Sequence, residues 1–148
     1  MPVLLAPFTC GEQWTYSHHD QEVRRALDFI SVDGVTDGAP AIAAGWGYAT
    51  QHVEDGGAGN YIVIDHGGDW VTYYFHLQSF SVPDGTFVNT GDEIGKVGTT
   101  GASSGPHLHH EQLFNGEGVD IVISGLPLAP YPSIYGIGAI VSNNCPMP

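Results

Sequence analysis

The sequence predicts a mostly β protein, an antiparallel β-sheet or sandwich with little helix and an irregular C-terminal segment. The 148 residues include 21 glycines and 10 prolines, which break the chain into short pieces. Most of these pieces are apolar or aromatic runs of strand length that end at polar turns. Only residues 21–26 suggest a helix, and it is short. The length suits one domain with a substantial core, so we expect residues 1–148 to form a single domain.

The strands are predicted, in order along the chain, from short runs rich in β-branched, aromatic or small residues. A small-residue run comes first, and two β-rich runs separated by the polar turn 66–69 then predict a hairpin. A shorter strand follows the turn 89–92, and the last strand follows a loop of threonine, glycine, alanine and serine at 99–105. Beyond it, Pro127, Pro130 and Pro132 predict irregular wrapping over the surface. The predicted strands are 39–44, 61–65, 70–76, 93–97 and 107–114.

The charge balance excludes some classes of partner. Three cations, Arg24, Arg25 and Lys96, face 16 acidic residues, for a formal net charge of −13. Nucleic-acid binding requires neutralisation of phosphates, so we expect no nucleic-acid partner, and an anionic lipid surface is disfavoured for the same reason. No run approaches the roughly 18 apolar residues that span a bilayer. The acidity indicates solubility, or alternatively a preference for neutral or cationic targets outside the cell.

The two cysteines indicate in which cellular compartment the protein is found. Cys10 and Cys145 lie near opposite ends of the chain, and neither belongs to a C-x-x-C motif. An even pair able to join the two ends predicts a disulfide of a secreted protein, the alternative being two unrelated free thiols. Residues 1–7 lack the basic and long apolar regions of a signal peptide, so we expect a secreted form whose signal is absent from this sequence.

The most informative motif is His107-Leu108-His109-His110. In a strand, alternate side chains point to the same face, so His107 and His109 share a face while His110 points toward the opposite one. Two imidazoles that converge after a glycine-rich turn indicate a metal site or an acid/base pair. We interpret His110 as structural.

Other residues can complete such a site. A hydrolytic zinc site has three protein ligands and an open position for water, and histidine and aspartate suit it. Asp28 lies between Leu27 and Phe29, so its carboxylate is predicted to face a cleft, where burial without a partner is costly. A surface aspartate on an amphipathic strand is the alternative. The candidate ligands are one of His18 or His19, Asp28, and one of His107 or His109.

His76 ends a predicted strand, from which it can face the same cleft. A hydrolytic site needs a group that orients water and a donor that stabilises an oxyanion, and a histidine beside a metal can serve either need. A lone histidine would instead be a hydrogen-bonded structural residue. The coincidence of several histidines at strand ends favours the catalytic interpretation.

Four ordered segments carry a resemblance to a known family. Residues 60–67 (NYIVIDHG), 74–77 (YFHL), 88–95 (VNTGDEIG) and 97–109 (VGTTGASSGPHLH) resemble the lysostaphin-type, or β-lytic, zinc metallopeptidases. The similarity runs from about residue 7 to residue 113. The ordered series is highly specific, whereas the H-x-H motif alone would not be.

The resemblance implies a fold, a reaction and roles for the residues. The fold would be a mainly antiparallel sheet with a narrow groove, and the activity would be hydrolysis of peptide bonds in bacterial cell-wall peptidoglycan. One zinc ion per chain would be held by His19 (or His18), Asp28 and His109. The two catalytic histidines that are not ligands would be His76 and His107, with their division of labour left open.

The chain departs from the family pattern at two places. His19 and Asp28 lie nine positions apart in the sequence, against four in the family's common short form, which leaves the choice between His18 and His19 open. His19 is preferred because a small polar residue commonly follows the ligand, as Asp20 does here. His110 occupies a position that is usually aromatic.

We therefore expect a secreted, monomeric zinc endopeptidase that acts on peptidoglycan peptides, in either the stem peptide or the cross-bridge. The alternative from another functional class is a non-catalytic cell-wall-binding, glycan-binding or activator module on the same scaffold. A cytosolic β domain with scattered histidines is a third interpretation, and two free thiols would favour it.

Overall fold

The computed structural model describes residues 2–18, 25–128 and 138–145, with the side chain of His18 excepted. These residues form strands joined by turns and loops, and no helix occurs among them. The strands are β1 (Gln13–His18), β2 (Leu27–Ser31), β3 (Pro40–Ile42), β4 (Gly47–Glu54), β5 (Gly59–Gly67), β6 (Trp70–Phe80), β7 (Thr86–Val88), β8 (Glu93–Val97), β9 (Leu108–Phe114), β10 (Glu117–Val119), β11 (Val122–Ile123), β12 (Leu126–Pro127) and β13 (Gly138–Val141).

A large antiparallel sheet organises the described strands. Its main path runs β13-β1-β2-β9-β6-β5-β4-β7, with β10 beside β9 and β8 beside β6, and β3 pairs with β8. Strands β2, β9 and β6 are therefore neighbours, although they are far apart in sequence. A separate two-stranded sheet joins β11 to β12.

Alternation along the strands separates a core face from a second face of the sheet. Leu27 and Phe29 of β2 are fully buried, whereas Asp28 between them is partly exposed. On β5 and β6 the core face carries Ile62, Ile64 and Tyr74. Because these strands present one apolar side to the same core, the opposite face of the sheet is left for Asp28 and for partly buried aromatic side chains such as Phe75.

Most of the predicted strands are present. Strand β8 spans the predicted residues, β9 begins one residue later than predicted, and the hairpin of β5 and β6 turns at Gly68 and Asp69. The C-terminal segment is more ordered than an irregular surface wrapping, because β13 pairs with β1, and Ile121 and Ile123 are buried. Four of the residues predicted as a helix, 21–24, lie outside the described residues.

A disulfide joins Cys10 to Cys145, as the sequence predicts. It joins residues that are 135 positions apart in the sequence, and it lies where Gly11 N donates to the Ser142 carbonyl. Over the described part of the chain, no helix has the length and apolar character needed to cross a membrane.

Candidate active site

Three adjacent strands bring an aspartate, a histidine and a phenylalanine into one row. Asp28 on β2 is paired with His109 on β9, which is paired in turn with Phe75 on β6. His109 Nδ1 lies 3.2 Å from Asp28 Oδ1. The Phe75 ring lies parallel to the imidazole, with centroids 4.5 Å apart and an interplanar angle of 6°. The antiparallel register therefore fixes both the position and the plane of His109.

His107 reaches the same carboxylate from the end of the loop before β9. Its Nδ1 donates to the Gly105 carbonyl at 2.8 Å, with Ser103 Oγ at 3.2 Å. Its Nε2 lies 3.6 Å from Asp28 Oδ1 and is buried without a hydrogen-bond partner among the described residues. The loop hydrogen bond thus directs the lone pair of Nε2 toward Asp28.

His76 enters the site through an unusual backbone conformation. Its φ of 66° is in the left-handed region, and its ring centroid is 4.7 Å from that of His107 and 5.9 Å from that of His109. Strict alternation would place residue 76 with Tyr74 on the core face. The left-handed residue breaks the alternation and turns the imidazole toward the other two histidines.

Thr100 fixes His76 from the neighbouring loop. His76 Nδ1 donates to the Thr100 carbonyl at 2.7 Å, which leaves Nε2 as the acceptor of the neutral ring. Burial, the largest cause, together with the rings of His107 and His109, lowers the pKa of His76 to about 4 despite that hydrogen bond. The ring is therefore neutral at pH 7, with Nε2 available to accept a proton.

His109 lies between two carboxylates. Its Nε2 is 2.6 Å from Oε2 of Glu111, a fully buried residue, and its Nδ1 faces Asp28. Burial alone would lower the pKa of His109, but the hydrogen bonds and charges of Asp28 and Glu111 outweigh it and raise the pKa. The surroundings of this ring favour positive charge.

The arrangement around Asp28 Oδ1 suits a cation. In the neutral His109 ring that donates from Nε2 to Glu111, the lone pair of Nδ1 faces Asp28, as does that of His107 Nε2. Three acceptors facing one another repel unless a proton or metal ion lies among them. Imidazole nitrogen and carboxylate oxygen are zinc ligands, so Asp28 and His109 are suitable donors for zinc.

The sequence profile of the family described as "Peptidase family M23" matches residues 25–121, about two thirds of the chain. The chain belongs to peptidase family M23. The match includes Asp28, His76, His107 and His109, and it confirms the resemblance to the lysostaphin-type peptidases.

Named relatives and solved structures agree with this M23 assignment. The peptidoglycan DD-endopeptidase ShyA of Vibrio cholerae is 38% identical over 92 residues, which cover 62% of this chain and 21% of ShyA. A zinc-containing peptidase from Vibrio cholerae superposes with a TM-score of 0.58 and 30% identity, covering 79% of this chain and 37% of that one. The catalytic domain of lysostaphin from Staphylococcus simulans gives a TM-score of 0.57 and 26% identity, covering 72% and 82%.

The M23 chain spans less than a quarter of the length of the first curated relatives it matches, 21% of one and 24% of another. The similarity therefore concerns only part of each of those relatives.

A cleft of about 520 Å³ opens beside the histidines of the M23 domain. Asp28 and His107 line it, together with Ser17 of β1 and the loop at 102–106. The Asp28 carboxylate lies on one side of the cleft and the loop on the other.

The structure brings together four of the five predicted site residues, Asp28, His76, His107 and His109. His19 lies outside the described residues, as does the side chain of His18, so the choice between them stays a prediction. The backbone of His18 ends β1 opposite Leu27, next to Asp28. Among the side chains that the structure describes, no three of histidine, cysteine, aspartate or glutamate form a metal-binding group.

His110 lies in the core, as alternation predicts. It is fully buried against Tyr74 and Phe29, and its Nδ1 donates to the Tyr73 carbonyl. Sequence reasoning missed Phe75, Thr100 and Glu111. Glu111 could have been found, since it lies two residues beyond His109 and so shares its face.

Proposed function

We propose that this M23 chain is a secreted zinc endopeptidase that hydrolyses peptide bonds in bacterial cell-wall peptidoglycan. The observation that carries the proposal is the meeting of His109 Nδ1 and His107 Nε2 at one oxygen of Asp28, with His76 alongside. The ligands would be His19, Asp28 and His109. When bound, zinc would lower the pKa of a water molecule and polarise the scissile carbonyl.

The chain's own residues would do the remaining work. His76 Nε2 and His107 Nε2 can hydrogen-bond a water or an oxyanion, and either can accept a proton when its ring is neutral. Thr100 and Gly105 hold the opposite Nδ1 atoms through their carbonyls, so both rings present the same nitrogen. This prior orientation reduces the reorganisation needed during the reaction.

One observation supports the proposed substrate, and another supports the proposed location outside the cytoplasm. The relative ShyA is named a peptidoglycan DD-endopeptidase, so bonds between D-residues are the first to test, followed by glycine-rich cross-bridges. Peptidoglycan lies outside the cytoplasm, where a disulfide such as Cys10–Cys145 persists. We further propose that residues 1–148 form one domain that acts as a monomer, which light scattering of the purified protein would test.

Digestion of purified peptidoglycans with different cross-links, with product masses measured, tests activity and bond together. The wild-type protein should carry about one zinc per chain and release muropeptides. His109→Ala should lose both the metal and the lytic activity, because it removes a ligand. His52→Ala is the matched control, since His52 lies exposed on β4.

The same experiment distinguishes the alternative function. A non-catalytic wall-binding or activator module would release no product, carry no zinc and bind cell walls equally well after His109→Ala. That set of results would contradict the endopeptidase proposal.

A further inference from the structure

Glu111 is a fully buried carboxylate next to a proposed metal ligand. It lies on β9, two residues after His109, and its side chain has no exposure to solvent. Glutamate is almost never fully buried without a partner, because removing the charge from water is costly. Its Oε2 is 2.6 Å from His109 Nε2.

The contact determines which nitrogen of His109 faces the cleft. A carboxylate accepts a hydrogen bond, and Glu111 Oε2 is closer to Nε2, at 2.6 Å, than Asp28 Oδ1 is to Nδ1, at 3.2 Å. In the neutral ring, which is the form that binds a metal, the single proton therefore lies on Nε2, and Nδ1 keeps its lone pair on the side of Asp28. Phe75 covers one face of the ring and prevents it from tilting. Glu111 therefore holds the edge of the imidazole while Phe75 holds its plane.

A role in stability alone explains this placement poorly. Replacing a buried ionic pair by apolar side chains is often neutral or stabilising. Gln112 shows how the same strand buries a polar group for structural purposes: its amide hydrogen-bonds both backbone groups of Val122. The Glu111 carboxylate, in contrast, contacts the imidazole of His109, the ring whose other nitrogen faces Asp28.

We propose that Glu111 is a positioning residue for the metal: by accepting the proton of His109 Nε2, it fixes Nδ1 toward the cleft and makes that nitrogen a better zinc donor. The inference rests on the proposed function, because it assumes that His109 is a zinc ligand. A hydrogen-bonded carboxylate behind a ligand histidine raises the ligand's basicity and fixes its orientation.

Zinc affinity measured by competition with a chromogenic chelator tests the proposal. Glu111→Met removes the acceptor and should weaken zinc binding by about 10- to 100-fold. Glu111→Gln keeps an acceptor oxygen and should recover most of that loss. Gln112→Met, in the next and equally buried residue, should lower the melting temperature and leave zinc affinity unchanged. Tight binding by Glu111→Met would overturn the proposal.

A second measurement needs no variant and decides the matter if Glu111→Met fails to fold. Long-range ¹H–¹⁵N NMR of the zinc-loaded wild-type protein should show His109 protonated at Nε2 and metal-bound at Nδ1; the reverse assignment would overturn the proposal. A wild-type protein that shows this pattern but cleaves no peptidoglycan would support the positioning role and contradict only the proposed function. A wild-type protein that binds no zinc would contradict both.

Discussion

Asp28 shows how much of the site depends on a single atom. Its Oδ1 lies within 3.6 Å of two different imidazole nitrogens, one from β9 and one from the loop before it. The residue is placed by Leu27 and Phe29, whose burial leaves the carboxylate no other direction. At the scale of residues, the site results from core packing on one face of the sheet and from the convergence of a carboxylate and two imidazoles on the other.

The left-handed backbone of His76 gives a prediction about strain. Glycine adopts a positive φ readily, whereas a residue with Cβ pays roughly 1 kcal/mol or more. His76→Gly and His76→Ala both remove the imidazole, so they differ mainly in the free-energy cost of the left-handed backbone conformation. His76→Gly should be more stable than His76→Ala by about 1 kcal/mol in urea unfolding. A more stable alanine variant would contradict the left-handed conformation.

His110 predicts how stability depends on pH. Burial, the largest cause, lowers its pKa to about 3, against 6.5 in the unfolded chain. Between these values the unfolded state binds a proton that the folded state does not, so stability is fully present above about pH 6.5 and falls as the pH decreases. One such histidine lowers the free energy of unfolding by about 2 kcal/mol between pH 7 and pH 5.

His110→Asn provides the comparison, since the amide can still donate to the Tyr73 carbonyl. Urea unfolding of both proteins in chelator should show the wild type losing about 2 kcal/mol more than the variant between pH 7 and pH 5. Equal losses would contradict a neutral, buried His110. The variant should be less stable at pH 7, because the ring packs against Tyr74.

The sequence could predict some of these side chains and not others. Strand alternation suffices for Asp28, His109 and the opposite direction of His110, because a period of two needs no knowledge of neighbouring strands. It fails for His76, whose direction depends on a left-handed residue. It also fails for Thr100, which acts through a backbone carbonyl that every residue type possesses.

At the scale of elements, β6 changes partner beside the site. Its residues up to Phe75 pair with β9, and those from Leu77 onward pair with β8. His76 lies at the change, where β8 and β9 separate and the loop at 98–107 joins them. The break in the ladder creates the space in which His76, His107 and the loop carbonyls meet.

Glycines anchor this loop, which gives a prediction with a matched control. Gly59 and Gly56 both have a positive φ, but a Cβ on Gly59 would lie 2.5 Å from the Thr100 carbonyl carbon, whereas one on Gly56 would meet nothing within 4 Å. Gly59→Ala should lower both stability and activity, because the displaced Thr100 no longer holds His76. Gly56→Ala should lower stability alone, by about 1 kcal/mol.

Steady-state hydrolysis and thermal melts of the two alanine variants provide the measurement. Equal losses of activity in the two variants would contradict the claim that the position of Thr100 determines the position of His76.

Sequence reasoning located strands better than it located their partners. The apolar run of β8 and the turn between β5 and β6 carry local signals. The adjacency of β2, β9 and β6 carries no such local signal in the sequence, because their pairing is set by the shared core and by the register between distant segments. Strand β13 illustrates the limit, since its four residues become a strand by pairing with β1.

At the scale of the whole molecule, the disulfide between Cys10 and Cys145 closes almost the entire chain. Cross-linking residues 135 apart removes much of the freedom of the unfolded state. Cys10→Ser/Cys145→Ser should therefore lower the free energy of unfolding by about 2–5 kcal/mol. Urea unfolding of the oxidised wild type and the double variant measures the difference, and an equal midpoint and slope would contradict a structural role.

Because Gln13 of β1 pairs with Val141 of β13, the sheet can be completed only after the C-terminal strand is available. A chain that is synthesised or exported from its N-terminus has β1 and Asp28 available early, but the outer partner of β1 emerges only after β9 and its histidines. Until then β1 is an open edge beside the strand that carries the aspartate. Completion of the sheet, and with it the fixed environment of Asp28, must follow delivery of nearly the whole sequence.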